Sequence, residues 1–93
     1  MNIAAVIDNK LATGSLAPVD LRRLPLTPRQ FFLVTGEENP EVLHVMSLVG
    51  MALFYAPVAG VWIYVHGSRF SFSRSSTEAA VSHLFNIAVT GDL

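Results

Sequence analysis

Positions 45–65 of this 93-residue chain form a run of twenty-one uncharged residues, VMSLVGMALFYAPVAGVWIYV, which limits the folds available to it. A single helix of that length would be about 30 Å long, which matches the hydrocarbon core of a bilayer. Two shorter elements would instead build the core of a small folded domain. The residues inside the run indicate which of these structures forms.

Pro57 and Gly60 interrupt the run. Proline lacks a backbone donor, costs about 3 kcal/mol inside a helix and disfavours helix at the residue before it. After Gly60, the sequence VWIYV is β-branched and aromatic, which is typical of a strand. We therefore predict a helix that ends near Phe54, a turn, and a strand from about Val61. A single membrane span over 45–65 is the alternative.

The segment before the run begins with NIAAVID, which indicates a short N-terminal strand, followed by a proline-rich irregular connection. TPRQFFLVTG then carries helix-start signals, because Thr27 suits the N-cap and Gln30 has capping-box spacing from it. In ENPEVLHVM, Asn39 suits the N-cap and Pro40 the first helical position. These signals predict two helices, the second over 40–54 and apolar nearly all round.

The sequence VWIYVHGSRFSFSR predicts a β-hairpin in which Gly67 and Ser68 form a two-residue type II′ turn. RFSFS alternates with period two, as a half-buried strand does. The turn fixes the cross-strand pairs as His66 with Arg69, Val65 with Phe70, Tyr64 with Ser71, Ile63 with Phe72, and Trp62 with Ser73. One face of the hairpin then holds Val61, Ile63, Val65, Phe70 and Phe72.

The C-terminal sequence SSTEAAVSHLFNIAVTG predicts a helix, because Ser75 and Glu78 have capping-box spacing and Gly91 is placed to end it. Its apolar stripe comprises Ala80, Val81, Leu84, Phe85 and Ala88. We expect this stripe to cover the valine and phenylalanine face of the hairpin. The predicted fold is one α+β domain over 1–93: an N-terminal strand, two helices, the hairpin, and a C-terminal helix packed on the sheet.

The opposite face of the hairpin combines aromatic, imidazole and guanidinium groups with small hydroxyls. Aromatic and arginine side chains are enriched at binding sites. We predict that this face binds a partner through Trp62, Tyr64, His66, Arg69, Ser71 and Ser73. The alternative is that another element covers these rings, since 52% of the chain is hydrophobic.

Composition and motifs give little support to catalysis. The chain has no cysteine, so disulfides and thiolate metal sites are excluded, and its net charge of −1 argues against phosphate-backbone binding. His44, His66 and His83 lack short metal-ligand spacing. No nucleophile elbow, phosphate-binding glycine loop or dinucleotide fingerprint occurs. We expect no enzymatic activity, no catalytic residue, no metal and no cofactor.

No family motif is evident in these residues. In style alone, the chain resembles the small accessory proteins of phages and mobile elements, many of which bind and block a larger host protein. This resemblance implies a small protein–protein interaction module of the inhibitor or accessory type. We expect a homodimer, because a chain so rich in apolar residues would otherwise expose them.

The sequence also predicts the cellular location, and it leaves two other classes of protein as alternatives. MNIAAVIDNK lacks the basic region and long apolar stretch of a secretory signal, so we expect a cytoplasmic protein. A small single-pass membrane protein with its span at 45–65 is the first alternative. A winged-helix DNA-binding protein is the second, with Arg69 at the wing tip, although its recognition helix over 40–54 would carry no basic residue.

Overall fold

The structure is a computed structural model that describes residues 2–38 and 40–93. Its elements are α1 (Ile3–Thr13), β1 (Pro18–Val19), a 3₁₀ turn (Leu21–Arg23), α2 (Pro28–Thr35), β2 (Val42–Leu48), β3 (Met51–Ala56), β4 (Val61–His66), β5 (Arg69–Ser73) and α3 (Thr77–Thr90). The strands form one antiparallel sheet in the order β1-β2-β3-β4-β5. The predicted α+β class, with the C-terminal helix packed on the sheet, is confirmed.

Different elements cover the two faces of the sheet. Helices α1 and α3 pack against each other on one face, named the α3 face, where Leu84 contacts the apolar cluster that contains Tyr64. The connection around the 3₁₀ turn and α2 lie on the other face, named the α2 face, where Phe31 joins Ile63. A strand covered on both sides needs apolar residues on both sides. This explains why all residues of β3 and the first five residues of β4 are hydrophobic.

The predicted N-terminal strand is wrong, because this segment forms helix α1. The Asn2 side chain caps the helix by accepting a hydrogen bond of 3.2 Å from the Ala5 N–H. Gly14 ends it with a φ of +68°. Ile7 and Leu11 lie four residues apart, so they share one side of the helix and both contact the α3-face core. The short apolar run NIAAVID did not by itself distinguish a helix from a strand.

The predicted helix over 40–54 is also wrong. This segment contains β2 and most of β3, joined by a tight turn at Val49 and Gly50. Both turn residues have positive φ, +47° and +76°, as in the type I′ turn of a β-hairpin. Apolarity all round is typical of a central helix, but here it reflects two strands with apolar side chains on both faces of the sheet. Asn39, its predicted cap, lies outside the described residues.

The capping signals of α2 are confirmed. The Thr27 hydroxyl accepts a hydrogen bond of 3.1 Å from the Gln30 N–H, and the Gln30 side chain accepts one of 2.6 Å from the Thr27 N–H. Pro28 occupies the first turn, and Gly36 ends the helix with a φ of +78°. This short helix is therefore fixed at both ends by local sequence.

The hairpin is confirmed with every predicted pair, from His66–Arg69 at the turn to Trp62–Ser73 at the far end. Gly67 has a φ of +62° and Ser68 has no positive φ, which fits the predicted type II′ turn. The run at 45–65 consequently divides between the end of β2, strand β3, a turn and β4.

Helix α3 ends at Gly91 as predicted, but two details of the prediction are wrong. The N-cap is Ser76, whose hydroxyl accepts from the Ala79 N–H at 3.1 Å, rather than Ser75. Ile87 lies in the core, whereas Phe85 of the predicted stripe remains 39% exposed. The stripe is therefore rotated slightly from its expected position.

Two findings concern the alternative classes of protein. Within residues 2–38 and 40–93, no helix combines the length and the apolar character that crossing a membrane requires. The recognition helix that a winged-helix protein would need at 40–54 is replaced by strands.

Candidate functional site

The predicted binding face of the hairpin faces α3 rather than solvent. Trp62 is only 2% exposed and Tyr64 only 1%. The expectations that these rings are accessible, and that α3 covers the valine and phenylalanine face, are therefore wrong. Hairpin register determines which residues share a face, but it does not determine which face a later helix covers.

Trp62 and Tyr64 are core rings whose polar ends have partners. The Trp62 indole N–H donates to the main-chain oxygen of Ser75 at 3.0 Å. The Tyr64 hydroxyl lies 2.7 Å from the Ser73 hydroxyl, and its ring packs edge-on to His83 with centroids 4.6 Å apart. Burial raises the pKa of Tyr64, and hydrogen bonds from nearby serines partly oppose the rise. Satisfied polar ends of this kind are typical of buried tryptophan and tyrosine.

The other four residues of the predicted site lie in different environments. His66 is partly buried and Arg69 is exposed beside the turn. Ser71 and Ser73 are partly buried on the α3 face, and the Ser71 hydroxyl oxygen is fully buried. No hydrogen-bond partner for that oxygen exists among the described residues. The structure does not bring the six residues together as one accessible surface, and a partner contact through the exposed ones stays a prediction.

The opposite side of the sheet is only partly covered. The 3₁₀ connection and α2 bury Val61 and Ile63 completely on the α2 face. Less of the α2 face is covered toward the end of the sheet that carries the two tight turns, where Val65 and Phe70 are only partly buried. Five apolar residues on the α2 face remain only partly buried, and we name them the open face: Ala52, Phe54, Val65, Phe70 and Phe72.

Helix α2 adds further exposed apolar surface beside β5. The ring of Phe31 lies 6.2 Å from that of Phe72, and Arg74 donates to the main-chain oxygen of Val34 at 3.2 Å. Three consecutive side chains of the helix are exposed, at 43%, 69% and 40%, and we name them the α2 flank: Phe32, Leu33 and Val34. The signal that could have found this flank is the run FFLV, because four consecutive apolar residues cannot all face one core.

Strand β5 leaves one edge of the sheet open. It is the last strand in the sheet order and pairs only with β4. A two-residue hairpin turn is closed by a hydrogen-bonded pair, here His66 and Arg69, and hydrogen-bonded pairs recur at every second residue. The main-chain groups of Phe70 and Phe72 therefore point away from the sheet. We name this outward side of residues 69–73 the β5 edge.

The other edge of the sheet is protected. Strand β1 is only two residues long and begins with Pro18, and β2 has a bulge between His44 and Met46. Short edge strands, proline and bulges all disfavour pairing with another chain. Strand β5 has regular pairing throughout and contains no proline. The two edges thus differ in their capacity to accept a further strand.

Two polar contacts at the surface join residues that lie close together in the sequence. Arg22 and Asp20 form an ion pair of 2.6 Å, and the Arg22 hydrogen bonds lower the pKa of Asp20 to about 2. His44 and Ser47 lie 2.9 Å apart on β2. Within the described ranges, no group of three or more His, Asp or Glu side chains could hold a metal ion. These contacts stabilise a turn and a strand.

Comparisons of the chain with protein-family models, curated proteins and solved structures find no match. The functional conclusion therefore rests on the geometry of the open face, the α2 flank and the β5 edge.

Proposed function

We propose that this chain is a non-enzymatic protein-binding module, and that it binds through the open face, the α2 flank and the β5 edge. One observation carries the proposal: the exposed α2 flank and the partly buried open face lie beside a strand whose outward main-chain groups lack a partner within the described chain. Large apolar patches on a monomer mark interaction sites, and open strand edges are templates for pairing.

The chemistry of this surface favours a protein as the partner. A strand added at the β5 edge would gain main-chain hydrogen bonds, and its side chains would contact the open face. The open face and the α2 flank contain no charged residue, and the chain has a net charge of −1. Both features disfavour nucleic acid, whose binding depends on neutralising phosphates.

Two further parts of the proposal, the effect on the partner and the cellular location, are supported by the sequence alone. Blocking of a host protein, in the manner of phage and mobile-element accessory proteins, rests on size and composition and stays a prediction. The cytoplasmic location also stays a prediction, which cell fractionation would check.

Photocross-linking from a single position tests the proposal directly. A benzophenone amino acid replaces Leu33, which is 69% exposed in the α2 flank. The control replaces Val89, which is 87% exposed on α3, over the opposite face of the sheet. Both variants are produced in the cells that naturally make the protein and are irradiated there.

The proposal predicts a discrete protein adduct from position 33 and none from position 89. An adduct of about twice the 10.1 kDa mass of the chain would identify a second copy, and any other mass would identify a different protein. Equal labelling at the two positions, or no adduct at position 33, would contradict the proposed binding surface.

A further inference from the structure

We propose that β5 pairs antiparallel with β5 of a second copy of this chain, about a twofold axis at Ser71. The two five-stranded sheets would then form one continuous sheet. This inference rests on the proposed function and names the partner. A second copy is the partner because the main chain, the side chains and the charges of β5 are all self-complementary in this register.

The main chain of β5 supports this register. Ser71 is the central residue of Arg69–Ser73, so an axis at Ser71 uses the full length of the strand. Phe70 then lies opposite Phe72 of the second copy. Since these two residues carry the outward main-chain groups, each Phe70–Phe72 pair exchanges two hydrogen bonds across the axis. The pairing satisfies the β5 edge without disturbing its bonds to β4.

The hydroxyl of Ser71 provides an independent observation. It is buried in the single chain and has no hydrogen-bond partner among the described residues. In this register the two Ser71 residues form a non-hydrogen-bonded pair, with Cα atoms about 4.5 Å apart. Because Ser71 is only partly buried, rotation about its χ1 angle turns the oxygen toward the edge. The two hydroxyls then bond to each other, as cross-strand serines do.

The apolar surfaces also meet across the axis. Phe70 and Phe72 lie on the α2 face with their rings 5.5 Å apart. The dimer places each ring beside a ring of the other copy, so the open face continues across both sheets. Helix α2 is held over β5 by the Phe31–Phe72 and Val34–Arg74 contacts. The two α2 flanks therefore approach each other on the same side.

The charges at the ends of β5 permit this pairing. Arg69 lies opposite Ser73 of the second copy, so like charges do not face each other. Arg74 follows the strand and is bonded to the main-chain oxygen of Val34. At the opposite edge of the sheet, Pro18 and the bulge in β2 disfavour an equivalent pairing.

A single engineered cysteine tests the register, because the chain has no cysteine of its own. In Ser71→Cys, the two sulfurs meet at the axis, where the Cα separation allows a disulfide. The matched control is Ser73→Cys, on the same strand and the same face. Its two copies would be about 14 Å apart, four residues along an antiparallel strand, which is too far for a disulfide.

Both variants are oxidised mildly at equal concentration and followed on non-reducing gels. The pairing predicts that Ser71→Cys forms a reducible dimer at least about tenfold faster than Ser73→Cys, since the sulfurs meet only at the axis. Light scattering of the unaltered chain should give about twice 10.1 kDa. Equal rates, faster reaction of Ser73→Cys, or a strict monomer would overturn the pairing.

Failure of this inference is distinguishable from failure of the proposed function. If Ser71→Cys does not cross-link while position 33 labels a protein of another mass, β5 self-pairing is wrong and the binding surface stands. If position 33 labels no protein and the chain is a monomer, both are wrong.

Discussion

The indole N–H of Trp62 donates a hydrogen bond of 3.0 Å to the main-chain oxygen of Ser75, the residue just before the N-cap of α3. This bond joins the centre of the sheet to the start of the helix that covers it. The Tyr64–Ser73 hydrogen bond lies beside it on the same face. Trp62 and Tyr64 are therefore core residues, and the proposed binding surface lies on the opposite face of the sheet.

Truncation of Trp62 should destabilise the fold. Trp62→Ala leaves a cavity under α3 and should cost about 3–5 kcal/mol of unfolding free energy. Trp62→Phe keeps much of the ring but leaves the Ser75 oxygen without its donor, and should cost about 1–3 kcal/mol. Arg69→Ala changes an exposed side chain and should lie within about 0.5 kcal/mol of the unaltered chain. Urea denaturation measures all three.

The opposite outcome would restore a binding role to this face. If Trp62→Ala retained its stability but lost self-association, the ring would have to be a contact residue rather than a core residue.

Local signals made part of this fold predictable from sequence. The Gly67-Ser68 turn determined every pair of the β4–β5 hairpin, and Thr27 with Gln30 fixed the start of α2. Such features depend on residues close together in the chain. The packing of other elements does not change these local features, and they can therefore be predicted from the sequence.

Packing between distant elements could not be predicted in the same way. Nothing in the hairpin indicates that α3 covers Trp62 rather than Phe72, since both faces carry large rings. Val49-Gly50 is a weak turn signal, because the favoured sequence there is Asn-Gly. Without a strong turn signal, the pattern of apolar residues does not distinguish the β2–β3 hairpin from a helix. The open face was missed for the same reason, as it is defined by where the cover of α2 stops.

Replacement of Val49 should stabilise the protein. Val49 is 77% exposed and has a φ of +47°, a conformation that is strained for a β-branched residue. Asparagine tolerates this conformation and is preferred in type I′ turns. Val49→Asn should add about 1 kcal/mol of stability, which for a domain of this size raises Tm by about 4–8 °C.

The control for this turn is Val58→Asn. Val58 is 71% exposed in the β3–β4 turn and has no positive φ, so it gains no relief of strain. Equal shifts in Tm for the two variants would show that solubility, rather than the conformation of Val49, governs the effect.

The ionisation of Tyr64 should couple stability to alkaline pH. Burial raises the pKa of Tyr64 above its ordinary value of 10.0. Below that value the phenol is neutral in both the folded and the unfolded chain, so its ionisation does not lower the free energy of unfolding. As pH rises above it, only the unfolded chain ionises freely, and stability falls until the folded pKa is passed. Denaturation across this pH range should show the loss, and Tyr64→Phe should flatten it. An identical pH profile for both proteins would contradict this assignment.

Removal of the Ser71 hydroxyl should separate stability from association. Ser71→Ala deletes a buried oxygen without a described partner and should stabilise the dilute, monomeric chain by about 1 kcal/mol. The same change deletes the proposed bond across the twofold axis, so dimerisation should weaken by about two- to tenfold. Thermal unfolding of dilute protein and sedimentation at higher concentrations measure the two effects. Tighter dimerisation of Ser71→Ala would contradict the bond.

Hydrogen exchange at the amides of Phe70 and Phe72 measures whether β5 pairs with a second copy, because these groups form the β5 edge. Exchange is followed residue by residue in dilute and in concentrated solution, with the exposed Val58 amide as an internal control. Pairing of β5 with a second copy predicts that both phenylalanine amides exchange at least about tenfold more slowly when concentrated, while Val58 is unchanged. Equal exchange of Phe70 and Phe72 at both concentrations, in a chain that remains monomeric, would contradict it.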